Sequence, residues 1–362
     1  MNMVFGRLGV IVALAASQLG SAAVTMKRSV TCSGGQTTAN EACCALFPVI
    51  DLIQQELFDG GECGEEAHSA LRLSFHDAIG FSKNGVGGGA DGSILAFNQT
   101  ETQYPANDGI DDVTARQWPV FQKSGLSAGD FLHLAAAIGV GNCPGSPRLS
   151  YSFGRPPPTA AAPDGTVPLP TDTVADILAR MSDAGFVAAE VIWLLASHSV
   201  AAAVSIFELL PSIPVSIPGT PFDSTPGTFD TQFFLEVLLK GTAFPGNGPQ
   251  PGEVLSPLAG EMRLQSDFAF SQDPSTACFW QEAVNAQSFI MGKFQAAMAK
   301  MQVLGQTNLT DCSDVIPVPA TFDSDIKYPA SFSESDVQIA CTTSAFPSLA
   351  TVAGAAPTVS PV

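Results

Sequence analysis

The sequence predicts a mainly helical protein, built as one large globular unit or two closely fused halves and tied by disulfides. Three observations carry that expectation. Eight segments place apolar residues at helical spacing. Strand patterns are scarce. Eight cysteines, an even number with no CxxC pair, are spread from Cys32 to Cys341. The apolar fraction of 46% runs along most of the 362 residues, enough to bury a sizeable core.

Taken in order, the chain opens with Arg7, an apolar stretch over 8–16 and a small-residue run over 20–23, the pattern of a secretory leader. The stretch is too short to span a bilayer. Lys27 and Arg28 form a dibasic cleavage point, so the mature chain is expected to start near Ser29. Helices are predicted over 43–57, 65–78, 128–137, 174–184, 188–204, 230–239, 277–287 and 289–304. Ser127 and the pair Ser182 and Asp183 supply helix starts. Long Gly- and Pro-rich loops over 83–91, 156–170, 210–228 and 242–257 separate them, and loops of that length are usually functional or held by metals and disulfides. Residues 346–362 have no periodicity and are expected to run extended over the surface. The predicted organisation is therefore a removed segment 1–28, a body 29–345 in two halves that divide near residue 170, and a tail 346–362.

Charge narrows the partners. Acidic residues number 34 against 15 basic ones, and three of the basic residues (Arg7, Lys27 and Arg28) lie in the leader, leaving 12 on the mature chain. Nucleic acid and anionic membranes are repelled by such a surface. Export, an oxidising compartment and four disulfides form one consistent reading. Cys43 and Cys44 are neighbours whose side chains diverge, so each is expected to bond elsewhere. The sequons at Asn98 and Asn308 add glycan acceptors suited to a secreted protein.

The chemistry-bearing motif is Arg72-Leu73-Ser74-Phe75-His76-Asp77. Arg72 and His76 stand four residues apart, so on a helix they share one face with Phe75 alongside. A base and a cation converging on one pocket are what heterolysis of a peroxide needs: one moves the proton, the other balances the departing hydroxide. Arg and His at that spacing also occur by chance as a solvated pair. Only four histidines exist, and His198 lies in the apolar run Trp193-Leu194-Leu195-Ala196-Ser197-His198-Ser199, where a buried imidazole must find a partner. A core histidine bonded to a carbonyl is the alternative.

With the cysteine spacing, these motifs resemble the plant, fungal and bacterial haem peroxidase superfamily over nearly the whole mature chain, and within it the secreted class II peroxidases of fungi, closest to the lignin peroxidase type. The resemblance implies haem b between a distal half (29–170) and a proximal half (171–345), with Phe75 and Phe222 against it. His198 would ligate the iron and Asp267 would accept its other ring proton, making the imidazole a stronger donor. Asn107 would accept the proton of the other His76 nitrogen and Glu101 would support Asn107. His68 and His133 have no such match and are expected to be structural or exposed. The implied disulfides are Cys32 with Cys44, Cys43 with Cys312, Cys63 with Cys143, and Cys278 with Cys341. Two calcium sites are implied: Asp77, the carbonyl of Gly89, Asp91 and Ser93 on the distal side, and Ser199, Asp223, Thr225, the carbonyl of Thr228 and Asp230 on the proximal side.

Subfamily features follow from the same resemblance. Manganese peroxidases hold Mn(II) with three carboxylates, and here only Glu65 matches; Ser69 and Val204 stand at the other two positions. The loop 205–217 is longer than the family pattern, which leaves Glu208 as a conceivable substitute. Trp193 matches the surface tryptophan of lignin and versatile peroxidases, with Glu190 three residues earlier as a candidate to stabilise a cation radical, although Phe279 stands where a Glu is expected. Trp118 and Trp280 are read as packing. The expected activity is peroxide-dependent, one-electron oxidation of lignin-type aromatics by a secreted monomer. The alternatives are an atypical versatile peroxidase, a generic low-potential peroxidase, or a secreted haem- and calcium-binding protein without turnover.

Overall fold

The fold is known from a computed structural model that describes residues 29–203, 219–245, 249–322 and 325–362. The leader, Val204, Glu208 and most of the loop around them lie outside the described residues.

The described chain is helical, with only three two-stranded antiparallel ribbons: Val30–Thr31 with Thr37–Thr38, Ser152–Phe153 with Thr310–Asp311, and Glu253–Val254 with Arg263–Leu264. The first half carries α1 (Phe47–Glu56), α2 (Glu65–Ala78), the single turns α3 (Ser93–Ala96) and α4 (Asn98–Glu101), α5 (Ile110–Ser124) and α6 (Ala128–Asn142). The second carries α7 (Val174–Ala184), α8 (Ala188–Leu194), α9 (Gln232–Leu238), α10 (Gln265–Gln272), α11 (Ala277–Ala283) and α12 (Gln287–Met301).

Helix α6 carries no polar side chain over Ala128–Gly141 except Asp130 and His133 and is buried throughout that span, the pattern of a helix enclosed by others. It lies along α2, and Gly139 sets the approach: a Cβ there would come within 3.2 Å of the Ala67 Cα on α2. That pairing fixes the platform from which Arg72 and His76 project. On the other side α8 packs against α12.

Several predicted bounds shift for local reasons. The segment predicted over 43–57 begins as a 3₁₀ helix, Glu41–Leu46, capped by the Asn40 side chain, and becomes α-helical only at Phe47 with Pro48 in its first turn. Helix α6 runs five residues past the predicted 137. Helix α5 was not predicted at all, since Pro119 in its interior argues against a helix, and α10 is too short for its periodicity to register. The predicted helix 188–204 is corrected most. It is α-helical to Leu194, turns to 3₁₀ over Leu195–Val200, and is extended at Ala201, because Ala203 N–H pairs with Thr220 O at 2.8 Å and Gly219 N–H with Ala203 O at 2.9 Å. Backbone partners across the chain outcompete the helical ladder there.

Four disulfides join Cys32 to Cys44, Cys43 to Cys312, Cys63 to Cys143 and Cys278 to Cys341. The second ties the entry of α1 to a segment 269 residues away, so the two cysteines of the adjacent pair do bond apart. The tail runs without helix and is pinned at intervals: Thr351 bridges to Tyr328, Val359 N–H donates to Ala259 O, and Val362 N–H to Gly219 O. No helix among the described residues is long and apolar enough to cross a membrane.

Candidate active site

A cavity opens between α2 and the 3₁₀ segment Leu195–Val200. Arg72, Phe75 and His76 line it from α2, His198 from the 3₁₀ segment, and Phe222 and Asp267 from further along the chain; Val167, Leu169, Ile177, Leu194 and Phe270 give it apolar walls. Its lining is thus an apolar slot with a few convergent polar groups, the composition of a cofactor pocket.

On the α2 side, His76 Nδ1 is 2.7 Å from Asn107 Oδ1. Asn107 in turn donates from Nδ2 to the backbone carbonyl of Glu101 at 2.9 Å, whereas the Glu101 carboxylate accepts from Ala162 N–H at 2.8 Å. Glu101 therefore supports Asn107 through its main chain, a detail its side chain hid at the sequence level. Asn107 accepting at Nδ1 places that proton there and leaves Nε2 as the basic nitrogen. Burial, reinforced by the Arg72 charge, pushes His76 down to about 3, so the imidazole is neutral in ordinary buffers. Arg72 donates from Nη2 to Asp108 O at 2.9 Å, while its Nη1 is buried without a partner. Burial lowers its guanidinium only to about 10, so the group stays charged.

Opposite, His198 Nδ1 is 2.9 Å from Asp267 Oδ2, and Phe222 and Phe233 meet the ring edge to face at 5.1 and 5.5 Å. Phe233, on α9, carried no signal in the sequence beyond ordinary helical packing. With Nδ1 held, His198 presents Nε2 as its free nitrogen. An apolar slot with an orientated imidazole on one wall and an unsatisfied guanidinium on the other fits a planar iron porphyrin, and haem is the group the donor set suits.

Two buried acidic clusters flank the site. Asp77 Oδ2 accepts from Gly92 N–H at 3.0 Å and meets His133 Nε2 at 3.0 Å, which leaves Asp77 Oδ1 and Ser93 Oγ buried without partners. Asp91 lies two residues before Ser93 and accepts from its N–H, and its own N–H donates to Gly89 O at 2.8 Å. Gly89 has φ +75, and a Cβ there would run into the Leu304 carbonyl, so glycine is required. On the far side Thr225 Oγ1 lies 3.4 Å from Asp223 Oδ1 and 3.3 Å from Asp230 Oδ1, and Asp223 Oδ2 is buried and unpartnered. Ser199 is buried with its hydroxyl on Ala196 O, and Thr228 closes a turn onto Thr225 O. Burial raises Asp77 to about 7, Asp91 to about 6 and Asp230 to about 6, and holds Asp223 well above the carboxylate range. Orphaned oxygens in such clusters fit hard cations.

His68 and His133 are both buried, so the exposed alternative for them is set aside. His133 holds Asp77, and His68 lies beside the Cys63–Cys143 disulfide, its Nε2 3.7 Å from Cys63 Sγ.

Trp193 is partly exposed and is absent from the described residues that line the cavity. Five residues at about 100° each already set Trp193 and His198 about 140° apart, and the 3₁₀ turn after Leu194 leaves them on opposing sides of the segment. Glu190, the proposed neighbour of a radical there, accepts from Lys300 at 2.6 Å and from Val187 N–H at 3.0 Å, so its charge is neutralised. Trp118 packs on Phe121, and Trp280 is fully buried with Nε1 on Phe234 O. Glu65 is exposed at the start of α2 and Ser69 is buried one turn on.

Comparison with known proteins agrees with this geometry. The peroxidase family model matches residues 49–286, and a fungal peroxidase extension region matches 289–362. Versatile peroxidase VPS1 of Pleurotus eryngii is 53% identical, covering 93% of this chain and 92% of its own. Manganese peroxidase 3 of Phlebia radiata is 50% identical over 97% and 98%, and Ligninase H2 of Phanerodontia chrysosporium 48% over 93% and 92%. A histidine held by an aspartate, faced across an apolar slot by a neutral histidine and an arginine, stands on a chain that belongs to the fungal class II branch of the haem peroxidase family.

Proposed function

We propose that this chain is a secreted, monomeric peroxidase of the lignin peroxidase type, which oxidises lignin-like aromatic compounds one electron at a time with Trp193 as its surface oxidation site. The observation that carries the reading is the position of Trp193: half-exposed and outside the cavity, yet five residues from His198 on one continuous segment. An electron leaving the indole has a short covalent path inward, and a bulky substrate need not enter the slot.

His198 would hold haem iron through Nε2, with Phe75 and Phe222 against the macrocycle. Haem b, when bound, accepts two oxidising equivalents from hydrogen peroxide and returns them singly. The rest is the work of the chain. His76 Nε2 takes the proton of incoming peroxide and hands it to the departing oxygen, a transfer worth about 10²–10⁴ in rate. Arg72, charged and with one nitrogen unsatisfied, balances the leaving hydroxide. Asn107 keeps His76 in the tautomer that makes this possible, and the Asp267 carboxylate makes His198 the stronger donor. The distal set (Asp77, Gly89, Asp91, Ser93) and the proximal set (Ser199, Asp223, Thr225, Thr228, Asp230) would each hold one Ca²⁺, bracing the elements that carry His76 and His198.

Mn(II) oxidation is expected to be weak, because Ser69 removes a carboxylate beside Glu65. A versatile type remains the second reading, favoured by the 53% identity to a relative of that name. One comparison tests both: wild type against Trp193→Ser on veratryl alcohol, Mn(II) and a small phenol. Loss of veratryl alcohol turnover alone is expected. Unchanged turnover removes the surface-radical reading, and vigorous Mn(II) oxidation replaces the lignin type with the versatile one.

A further inference from the structure

Lys293 sits on α12 one turn beyond Phe289, and its Nζ lies 4.5 Å from the centre of the Trp193 ring and 5.3 Å from that of Phe289. The two rings meet edge to face at 6.2 Å. All three residues are partly exposed, while the indole N–H is turned inward, buried and unpartnered. The surface presented to solvent is therefore an aromatic pair with an ammonium over it.

The charge of that ammonium is uncompensated. Lys300, seven residues on, is paired with Glu190 at 2.6 Å, whereas Lys293 has no ion pair among the described residues. The chain as a whole carries 34 acidic residues against 15 basic ones, so its general field repels anions. Lys293 is a local exception placed over the ring from which an electron would leave. A cation is attracted to a neutral indole face, but it opposes loss of an electron from that face. A bound anion would remove the opposition.

We propose that Lys293 makes the Trp193 face selective for aromatic substrates that carry a carboxylate or sulfonate. The proposal rests on Trp193 being the oxidation site and names the substrate class that site prefers. The anion docks on Lys293 Nζ and its ring lies against Trp193 and Phe289. One electron passes from the substrate ring to the oxidised indole, and no bond to the protein forms. Two substrate molecules each lose one electron, and those two electrons with two protons reduce one hydrogen peroxide to two waters. Lys293 acts as a specificity residue: it sets which donor reaches the ring.

The test uses haem-loaded enzyme, wild type, Lys293→Met, Lys293→Arg and Trp193→Phe, with a dimethoxyphenylacetate and its methyl ester as substrates that share the ring and differ in the carboxylate charge and one methyl group, above about pH 5 where the carboxylate is ionised. Lys293→Met is expected to raise the ratio of the KM for the anion to the KM for the ester by about three-fold or more, the scale of one exposed charge pair. Lys293→Arg should restore the ratio, and added salt should raise the wild-type KM for the anion only. A ratio unchanged in Lys293→Met overturns the proposal. If Trp193→Phe keeps full turnover of both substrates, the Trp193 reading has failed; if it loses both while Lys293→Met leaves the ratio alone, only the role of Lys293 has failed.

Discussion

His198 Nδ1 and Asp267 Oδ2 lie 2.9 Å apart across a sequence separation of 69 residues, and the second oxygen of that carboxylate is buried without a partner. The Asp267 charge is thus directed at one imidazole. Replacing Asp267 with Asn keeps the size and removes the charge. The variant is expected to react with peroxide about ten-fold or more slowly, with the iron midpoint potential moved upward, since loss of such an outer partner typically costs 10–100-fold. Stopped-flow absorbance and potentiometry measure both; an unmoved potential would mean that Asp267 only orients the ring.

The pair above the cavity sets a pH window. His76 is neutral above about 3 and Arg72 charged below about 10. The rate of reaction with peroxide should be level between about pH 4 and pH 9, falling on the acid side as His76 takes a proton and loses its basic nitrogen. His76→Leu should lower the level by about 10²–10⁴. A bell centred on pH 6.5 would contradict the burial argument.

His68 gives a stability prediction with a definite sign. Burial lowers it to about 4, below the 6.5 of an unfolded chain, so between those values the unfolded state binds a proton that the folded state refuses. The stability contribution is complete above pH 6.5 and is lost as pH falls towards 4, on the order of 3 kcal/mol in all. Urea denaturation of His68→Gln should show a flatter dependence between pH 7 and pH 4 than wild type, whatever its absolute stability.

Chelation should lower the melting temperature in two additive steps. Each calcium at one hundred times its Kd adds about 2.7 kcal/mol to the folded state. Asp223→Asn should lose the step of the proximal site and Ser93→Ala part of the distal one, read by calorimetry with and without chelator. A melting temperature indifferent to chelator would leave the orphaned oxygens of Asp77 and Asp223 without a cation.

What the sequence by itself determined was local. Helix α2 matches its predicted bounds at Glu65 and Ala78, and α7 at Val174 and Ala184, because apolar spacing and end signals are properties of a short window. Arg72 and His76 were legible for the same reason: four residues on a helix fix a shared face. Tertiary structure decided what depends on distant partners. Pairing with residues 219–222 unwinds the segment after Val200, and the fold lays the Glu101 carbonyl, and not its carboxylate, on Asn107; that Trp193 faces away from His198 follows already from five residues of helix at about 100° each. Lys293 reaches Trp193 from a helix about a hundred residues later, and no window of sequence contains both. Periodicity reports which face a side chain occupies, whereas contacts between elements are set by packing, and only the folded chain brings those surfaces together.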